Sequence, residues 1–248
     1  MPQEFIRTIK GTIKGILHGF GYKIVRVGGP TDRCTMDGAF RALKARKHAF
    51  NTVIDIGASN GSWSDALMRY FPSCQYLLIE AQPVHERALR EYCAQHENAH
   101  FVLAAAGEQA GHIFFDASEP FSGQASYTRT PAANIQLPVT TVDAEVGARK
   151  LNGPYLLKFD THGFELPILK GAVDTLAKAD VIVMECYNFR IAPECLTFHE
   201  MCQYLGERGF RCIDLVDPMH RPHDDAFWQM DLVFVRETRP EFSYQQYQ

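Results

Sequence analysis

Thr52-Val53-Ile54-Asp55-Ile56-Gly57-Ala58-Ser59-Asn60-Gly61 is the stretch on which the reading of this chain turns. Its first five residues are β-branched or apolar apart from one acid, the composition of a short strand buried on both faces. Glycines at 57 and 61 then permit a tight turn and a close approach of backbone to a ligand. Beyond Gly61, Trp63, Ala66, Leu67 and Tyr70 recur at helical spacing, and Pro72 lies just past them, so a helix is predicted through about residue 70. Strand, glycine turn and helix form the opening unit of an open parallel sheet. Such sheets bind ligands beyond the carboxyl ends of their strands, where strand order reverses.

The same alternation continues downstream. Residues 75–80 read as a strand, 84–96 as a helix with Pro83 suited to its first turn, and 99–106 as a third strand. The rhythm breaks between residues 107 and 142. Alternating segments at 112–115, 126–130 and 137–141, separated by turn residues, predict a β-hairpin insertion there. It then resumes with a strand at 155–160, a helix at 165–177, a strand at 181–186, a helix at 198–209, and strands at 211–216 and 230–235. No helical pattern separates the last two strands, so the final one is expected to run antiparallel to its neighbour. The fold class is therefore α/β: a Rossmann-like three-layer sandwich around a seven-stranded, mostly parallel sheet with an antiparallel last strand. Two units are expected: residues 1–48 as an N-terminal helical segment packed on the core, and 49–248 as the main domain carrying the insertion.

Bulk properties narrow the function classes. The 46% apolar and 22% charged content describes a folded chain, and a net charge of −4 argues against a nucleic-acid-coating surface. Seven cysteines are scattered singly without a C-x-x-C pair, as expected of reduced thiols in a cytoplasmic protein. No apolar run approaches bilayer length. Ile6, Ile9, Ile13, Ile16, Leu17 and Phe20 do follow helical spacing, with Arg7, Lys10 and Lys14 elsewhere on the wheel. That pattern fits packing onto the domain better than membrane-surface contact, since Gly11, Gly15 and Gly19 weaken a free helix.

Three ligand classes compete for the glycine loop. A phosphate-binding Walker loop ends in Gly-Lys-Ser/Thr, whereas this one ends in Gly61-Ser62-Trp63. A dinucleotide fingerprint has G-x-G-x-x-G, which is absent, and Asp55 at the strand end opposes a pyrophosphate. S-adenosylmethionine carries an ammonium, a sulfonium and one carboxylate, and suits an acid beside backbone donors. Glu80, closing the second strand, is placed to accept hydrogen bonds from a ribose diol. The cofactor-binding candidates from this loop and its neighbour are Asp55, Gly57, Ala58, Asn60, Gly61 and Glu80.

With these residues in view, the chain resembles the FkbM family of S-adenosylmethionine-dependent methyltransferases over roughly residues 50–236. Val53 to Gly61 is similar to the family's cofactor loop, and Ile79-Glu80-Ala81-Gln82-Pro83 to its second motif. Ala104-Ala105-Ala106-Gly107 resembles the third segment, which implies contact of Ala105 with the adenine. Val139 to Asp143 and Leu157-Lys158-Phe159-Asp160-Thr161-His162-Gly163-Phe164-Glu165 complete the match. The resemblance implies a class I methyltransferase fold and O-methylation of a hydroxyl on a sugar, glycan or small secondary metabolite. The chain departs from the family in carrying His162 where an acid is common and Gln82 where an asparagine is common.

A hydroxyl is a poor nucleophile, so a base is expected beside the cofactor. His162 is the predicted proton acceptor, with Asp160 orienting it or contributing to cofactor and substrate binding, and Glu185, at the end of the fifth main-sheet strand, is the third catalytic candidate. A rival reading gathers Asp160, His162 and Glu185 around Mg²⁺, but that ion prefers oxygen ligands and the spacing matches no metal motif, so no metal ligands are assigned. Glu165, Arg221, Trp228 and Asp231 are the acceptor-side candidates, and residues 124–127 a candidate lid. The expected partner is a small-molecule or glycan acceptor rather than nucleic acid. Two alternatives remain open at this point: a nicotinamide-dependent oxidoreductase, and a non-catalytic S-adenosylmethionine-binding protein on the same scaffold.

Overall fold

The first described helix, α1 (Met36–Ala45), is capped by Thr35, whose hydroxyl accepts from the Gly38 amide at 3.1 Å. It lays Phe40 and Leu43 into the core, with Phe40 edge-on to Trp63. The structure is a computed structural model describing residues 33–247, so the amphipathic stretch of residues 6–20 lies outside the described residues.

The first strand, β1 (Thr52–Ile56), pairs in parallel with β2 (Gln75–Glu80) on one side and β8 (Tyr155–Phe159) on the other. Beyond them lie β3 (Ala99–Leu103), β9 (Ala179–Tyr187), β10 (Phe210–His220) and β11 (Phe227–Arg236), in the order β10-β11-β9-β8-β1-β2-β3. Strand order reverses between β1 and β8, which places the crevice above Gly57. The last strand is antiparallel, as expected, and is inserted between β9 and β10. Successive residues of the central strands point to opposite faces. Ile54, Leu77, Leu157 and Ile182 enter one apolar cluster, and Val53, Leu78, Leu156 and Val183 the other. Helices α2 (Ser62–Met68), α3 (Glu86–Gln95), α5 (Glu165–Lys170), α6 (Val173–Ala177) and α7 (Phe198–Gly206) follow their strands.

The structure revises several sequence boundaries. The predicted strand at 99–106 is two strands. It pairs with β2 as far as Leu103, then leaves the main sheet as β4 (Ala105–Ala106). There it joins β7 (Ile135–Thr140), β5 (Gly111–Asp116) and β6 (Gln124–Ser126) in a four-stranded second sheet, a larger structure than the expected hairpin. The helix at 165–177 is interrupted at Gly171, where a Cβ would stand 2.0 Å from the Gly107 carbonyl oxygen. A short helix, α4 (Val142–Ala148), capped by the Thr141 hydroxyl, replaces the end of the insertion. The last two strands are longer than predicted and leave only residues 221–226 between them. Among the described residues no helix is long and apolar enough to cross a membrane, and all seven cysteines are free.

Candidate functional site

Gly57 has φ +76°, and a Cβ there would lie 1.9 Å from the Asp160 carbonyl oxygen. Only glycine lets the loop after β1 close against the end of β8. The Ser59 amide then donates to Glu80 Oε2 at 2.7 Å, and the Gln82 amide donates to Glu80 Oε1 at 2.7 Å. Glu80 thus ties the loops after β1 and β2 together, and each oxygen retains accepting capacity for a ligand. A cleft of about 300 Å³ results, bordered by Gly57, Ala58, Asn60, Glu80, Ala105 and Asp160. Phe115 and Phe121 add aromatic wall.

Two cofactor candidates are placed elsewhere. Gly61 is the left-handed cap of α2 and packs on Leu78 and Tyr92. Asp55 is fully buried below the loop, because its register partner on β8 is Lys158. Its Oδ2 accepts from the Ser64 hydroxyl at 2.7 Å, and its Oδ1 lies 3.3 Å from Lys158 Nζ. Lys158 also lies 3.1 Å from Asp160 Oδ2 and donates to the Gly57 carbonyl at 3.2 Å. Burial opposes the charge of Lys158, but Asp55 and then Asp160 outweigh it and hold the ammonium above the ordinary lysine range. Burial likewise opposes ionisation of Asp160, and Lys158 and His162 overcome it, holding that carboxyl below the usual range. Lys158 is not among the site residues that the motifs point to; its one signal in the sequence is a lysine inside an apolar strand, which demands buried counter-charges.

His162 borders this cleft and also a second cavity of about 550 Å³, lined by Gln124, Glu185, Tyr187, Phe189 and Trp228 among others. Its backbone is left-handed, with φ +52°. Its Nδ1 lies 3.2 Å from the Gly123 carbonyl oxygen, so Gly123 rather than Asp160 orients the ring. Its Nε2 faces Asp160 Oδ1 at 3.7 Å and Glu185 Oε2 at 3.9 Å. The strap carrying Gly123 is held from the other side, since the Pro120 carbonyl lies 2.9 Å from Gln82 Nε2 and 2.7 Å from His85 Nε2. These three strap contacts were invisible in the sequence because they join loops far apart in the chain.

Glu185 accepts hydrogen bonds from the Tyr187 hydroxyl and the Gln229 amide. Burial, then the charge of Asp160, pushes its carboxyl up to about 9. As pH rises from its ordinary 4.5 toward that value, the unfolded chain releases this proton while the folded chain keeps it, so stability falls with rising pH. Glu185→Gln removes that slope. The melting temperature of the variant is expected to drop less than that of the parent between about pH 5 and about pH 8, by several degrees in thermal scans.

The acceptor-side candidates separate. Trp228 stacks on Phe189 with ring centroids 5.3 Å apart, and Arg221 covers Phe189 at 4.3 Å while pairing with Asp224 at 2.7 and 2.6 Å. Both border the second cavity. Asp231 is opposite Glu185 in register but outside the cavity lining, and burial followed by the Asp160 charge raises it to about 7. Glu165 is buried under its own loop, accepting from the Thr161 hydroxyl at 3.1 Å and the Gly163 amide at 3.0 Å; it is a brace for the turn rather than part of either cavity wall. Asp160, His162 and Glu185 each offer one ligand atom within 4.8 Å of the others. One of the three donors is an imidazole nitrogen, whereas Mg²⁺ prefers an all-oxygen octahedron, so this set fits that ion poorly.

A seven-stranded sheet of this order, with its glycine loop and strand-end acids around one crevice, defines a class I methyltransferase domain. The FkbM methyltransferase domain profile matches residues 55–212, and the chain belongs to that family. Among solved structures, the FkbM methyltransferase of Methylobacillus flagellatus KT is 17% identical with a TM-score of 0.51, over 74% of this chain and 43% of that one. This chain therefore spans less than half the length of that relative. The Methanococcus jannaschii fibrillarin pre-rRNA processing protein is 15% identical, covering 75% of this chain and 66% of that one, with a TM-score of 0.48. Streptococcus pneumoniae Sp1610 in complex with S-adenosyl-L-methionine is 10% identical, covering 80% and 72%, with a TM-score of 0.44. No curated protein matches the chain.

Proposed function

We propose that the chain transfers the methyl group of S-adenosylmethionine to a hydroxyl of a sugar, glycan or small secondary metabolite. The observation that carries this reading is the position of His162, which borders the cofactor cleft and the second cavity at once. The cofactor supplies a methyl group on a positively charged sulfur. Glu80 would hold the ribose hydroxyls, and Ala105 would border the adenine. His162, with Nδ1 turned to the Gly123 carbonyl, presents the Nε2 lone pair to the acceptor hydroxyl and takes its proton. Trp228 and Phe189 offer an apolar wall, while Gln124 and Gln229 offer hydrogen bonds to neighbouring hydroxyls.

The charges of the cleft favour this cofactor over a dinucleotide. Among the described residues lining it, Lys158 is the only lysine or arginine, and two aspartates already hold it. A pyrophosphate would find no free cation there. The net charge of −4 likewise disfavours a nucleic-acid backbone as acceptor. Calorimetry with S-adenosylhomocysteine tests the cofactor assignment, and a panel of sugars, glycans and polyketide-type alcohols with radiolabelled S-adenosylmethionine tests the acceptor class. Binding with label transfer to a hydroxyl supports the reading. No heat beyond dilution rejects it, and binding without transfer to any hydroxyl leaves a cofactor-binding protein in its place.

A further inference from the structure

Asp160 stands beside His162, the residue that borders both cavities. It lines the cofactor cleft, and its Oδ1 faces His162 Nε2, which borders both spaces, at 3.7 Å. That separation is beyond hydrogen-bond reach and leaves the oxygen with room for another electropositive neighbour. Its other oxygen is committed to Lys158 at 3.1 Å, and Lys158 is shared with Asp55 at 3.3 Å, so the three side chains together carry one net negative charge. Glu185 faces the same junction, with an oxygen within 4.8 Å of Asp160, but it and Asp231 lie outside the cleft lining, and Glu80, which lines the cleft, is held by the Ser59 and Gln82 amides. A methyl group handed from a cofactor in the cleft to an acceptor in the second cavity would pass His162, and the sulfur that carries it would then lie on the Asp160 side.

We propose that Asp160 reads the charge of the cofactor, holding the methylated sulfonium in preference to the demethylated thioether, and then stabilises the same charge on His162. This inference rests on the methyltransferase reading above. In the transfer, the carbon–sulfur bond breaks with its electron pair left on sulfur, which becomes a neutral thioether. An acceptor oxygen lone pair forms the new carbon–oxygen bond, and the hydroxyl proton passes to the lone pair of His162 Nε2. One positive charge moves from sulfur to imidazole, and Asp160 faces both positions. The arrangement also favours exchange of product for fresh cofactor, because the product lacks the charge that Asp160 holds.

The experiment is a calorimetric titration of the parent protein, Asp160→Asn and Asp160→Glu with three probes: S-adenosylmethionine, S-adenosylhomocysteine and sinefungin, whose amine replaces the sulfonium with another cation. The parent is expected to bind the two cationic probes about tenfold more tightly than S-adenosylhomocysteine. Asp160→Asn is expected to lose that preference while its affinity for S-adenosylhomocysteine is unchanged, and Asp160→Glu to keep it. Equal affinities in the parent, or equal weakening of all three probes in Asp160→Asn, overturns the proposal. If Asp160→Asn does not fold, the parent ratio and the charge-conserving variant decide. A parent protein that binds none of the probes overturns the methyltransferase reading, and this inference with it.

Discussion

Replacing His162 with alanine is expected to lower methyl transfer at least about 100-fold, the usual contribution of a positioned base, while S-adenosylhomocysteine still binds. The imidazole only borders the cofactor cleft, whose loop contacts run through Gly57, Ser59 and Glu80. Its lone pair, by contrast, is aimed. With Nδ1 against the Gly123 carbonyl, Nε2 is the nitrogen left to accept a proton, and Asp160 and Glu185 lie on that side. Alanine is also strained by the left-handed backbone at this position, φ +52°, so asparagine, which tolerates that region, is the better companion variant. Both variants should fall together in labelled-methyl assays. Near-normal turnover in His162→Asn, with cofactor affinity intact, removes the residue from the mechanism.

Lys158→Met is expected to destabilise the fold by about 3–5 kcal/mol, the range for removing one partner from a buried ion pair. Lys158 is 4% exposed and sits between two carboxylates, one of them fully buried. Its loss leaves Asp55 without counter-charge and Asp160 with only His162 beside it, and frees the Gly57 carbonyl from its hydrogen bond. The melting temperature should fall by roughly 10 °C. The direction of the pH effect follows from Asp160, whose carboxyl Lys158 holds low against burial. Without the lysine, burial raises that carboxyl, so acidification neutralises it at a higher pH and the deficit relative to the parent shrinks as pH falls. A melting temperature within about 2 °C of the parent would show that the triad adds little to stability.

Much of the main sheet was legible because its signals are local. The run from Thr52 to Ile56, the glycines at 57 and 61, and the missing crossover between the last two strands each follow from nearest-neighbour chemistry. The second sheet was harder to read. Ala104 to Gly107 continues the apolar run of β3, and nothing in that run announces that the chain changes partner at Leu103; the change is set by contacts with β7, more than thirty residues later. The site divides in the same way. Gly57 and Glu80 lie where strand ends place them. Asp55, also at a strand end, was read as facing the ligand, and its fate was decided by Lys158 across the sheet. The orientation of His162 depends on a carbonyl, a group that every residue carries and that no sequence pattern distinguishes.

The departure of β4 from the main sheet brings a second sheet against the crevice that the parallel strands open. The cofactor cleft is built chiefly on β1, β2 and β8, whereas the strap that steadies the base hangs from the hairpin between β5 and β6. Pro120, Phe121 and Gly123 of that strap also line the cofactor cleft, so one short segment touches both the cleft and the base. Exchanging that hairpin between relatives should therefore retune both rooms at once, shifting cofactor affinity together with the aim of His162, while the parallel frame beneath keeps its packing.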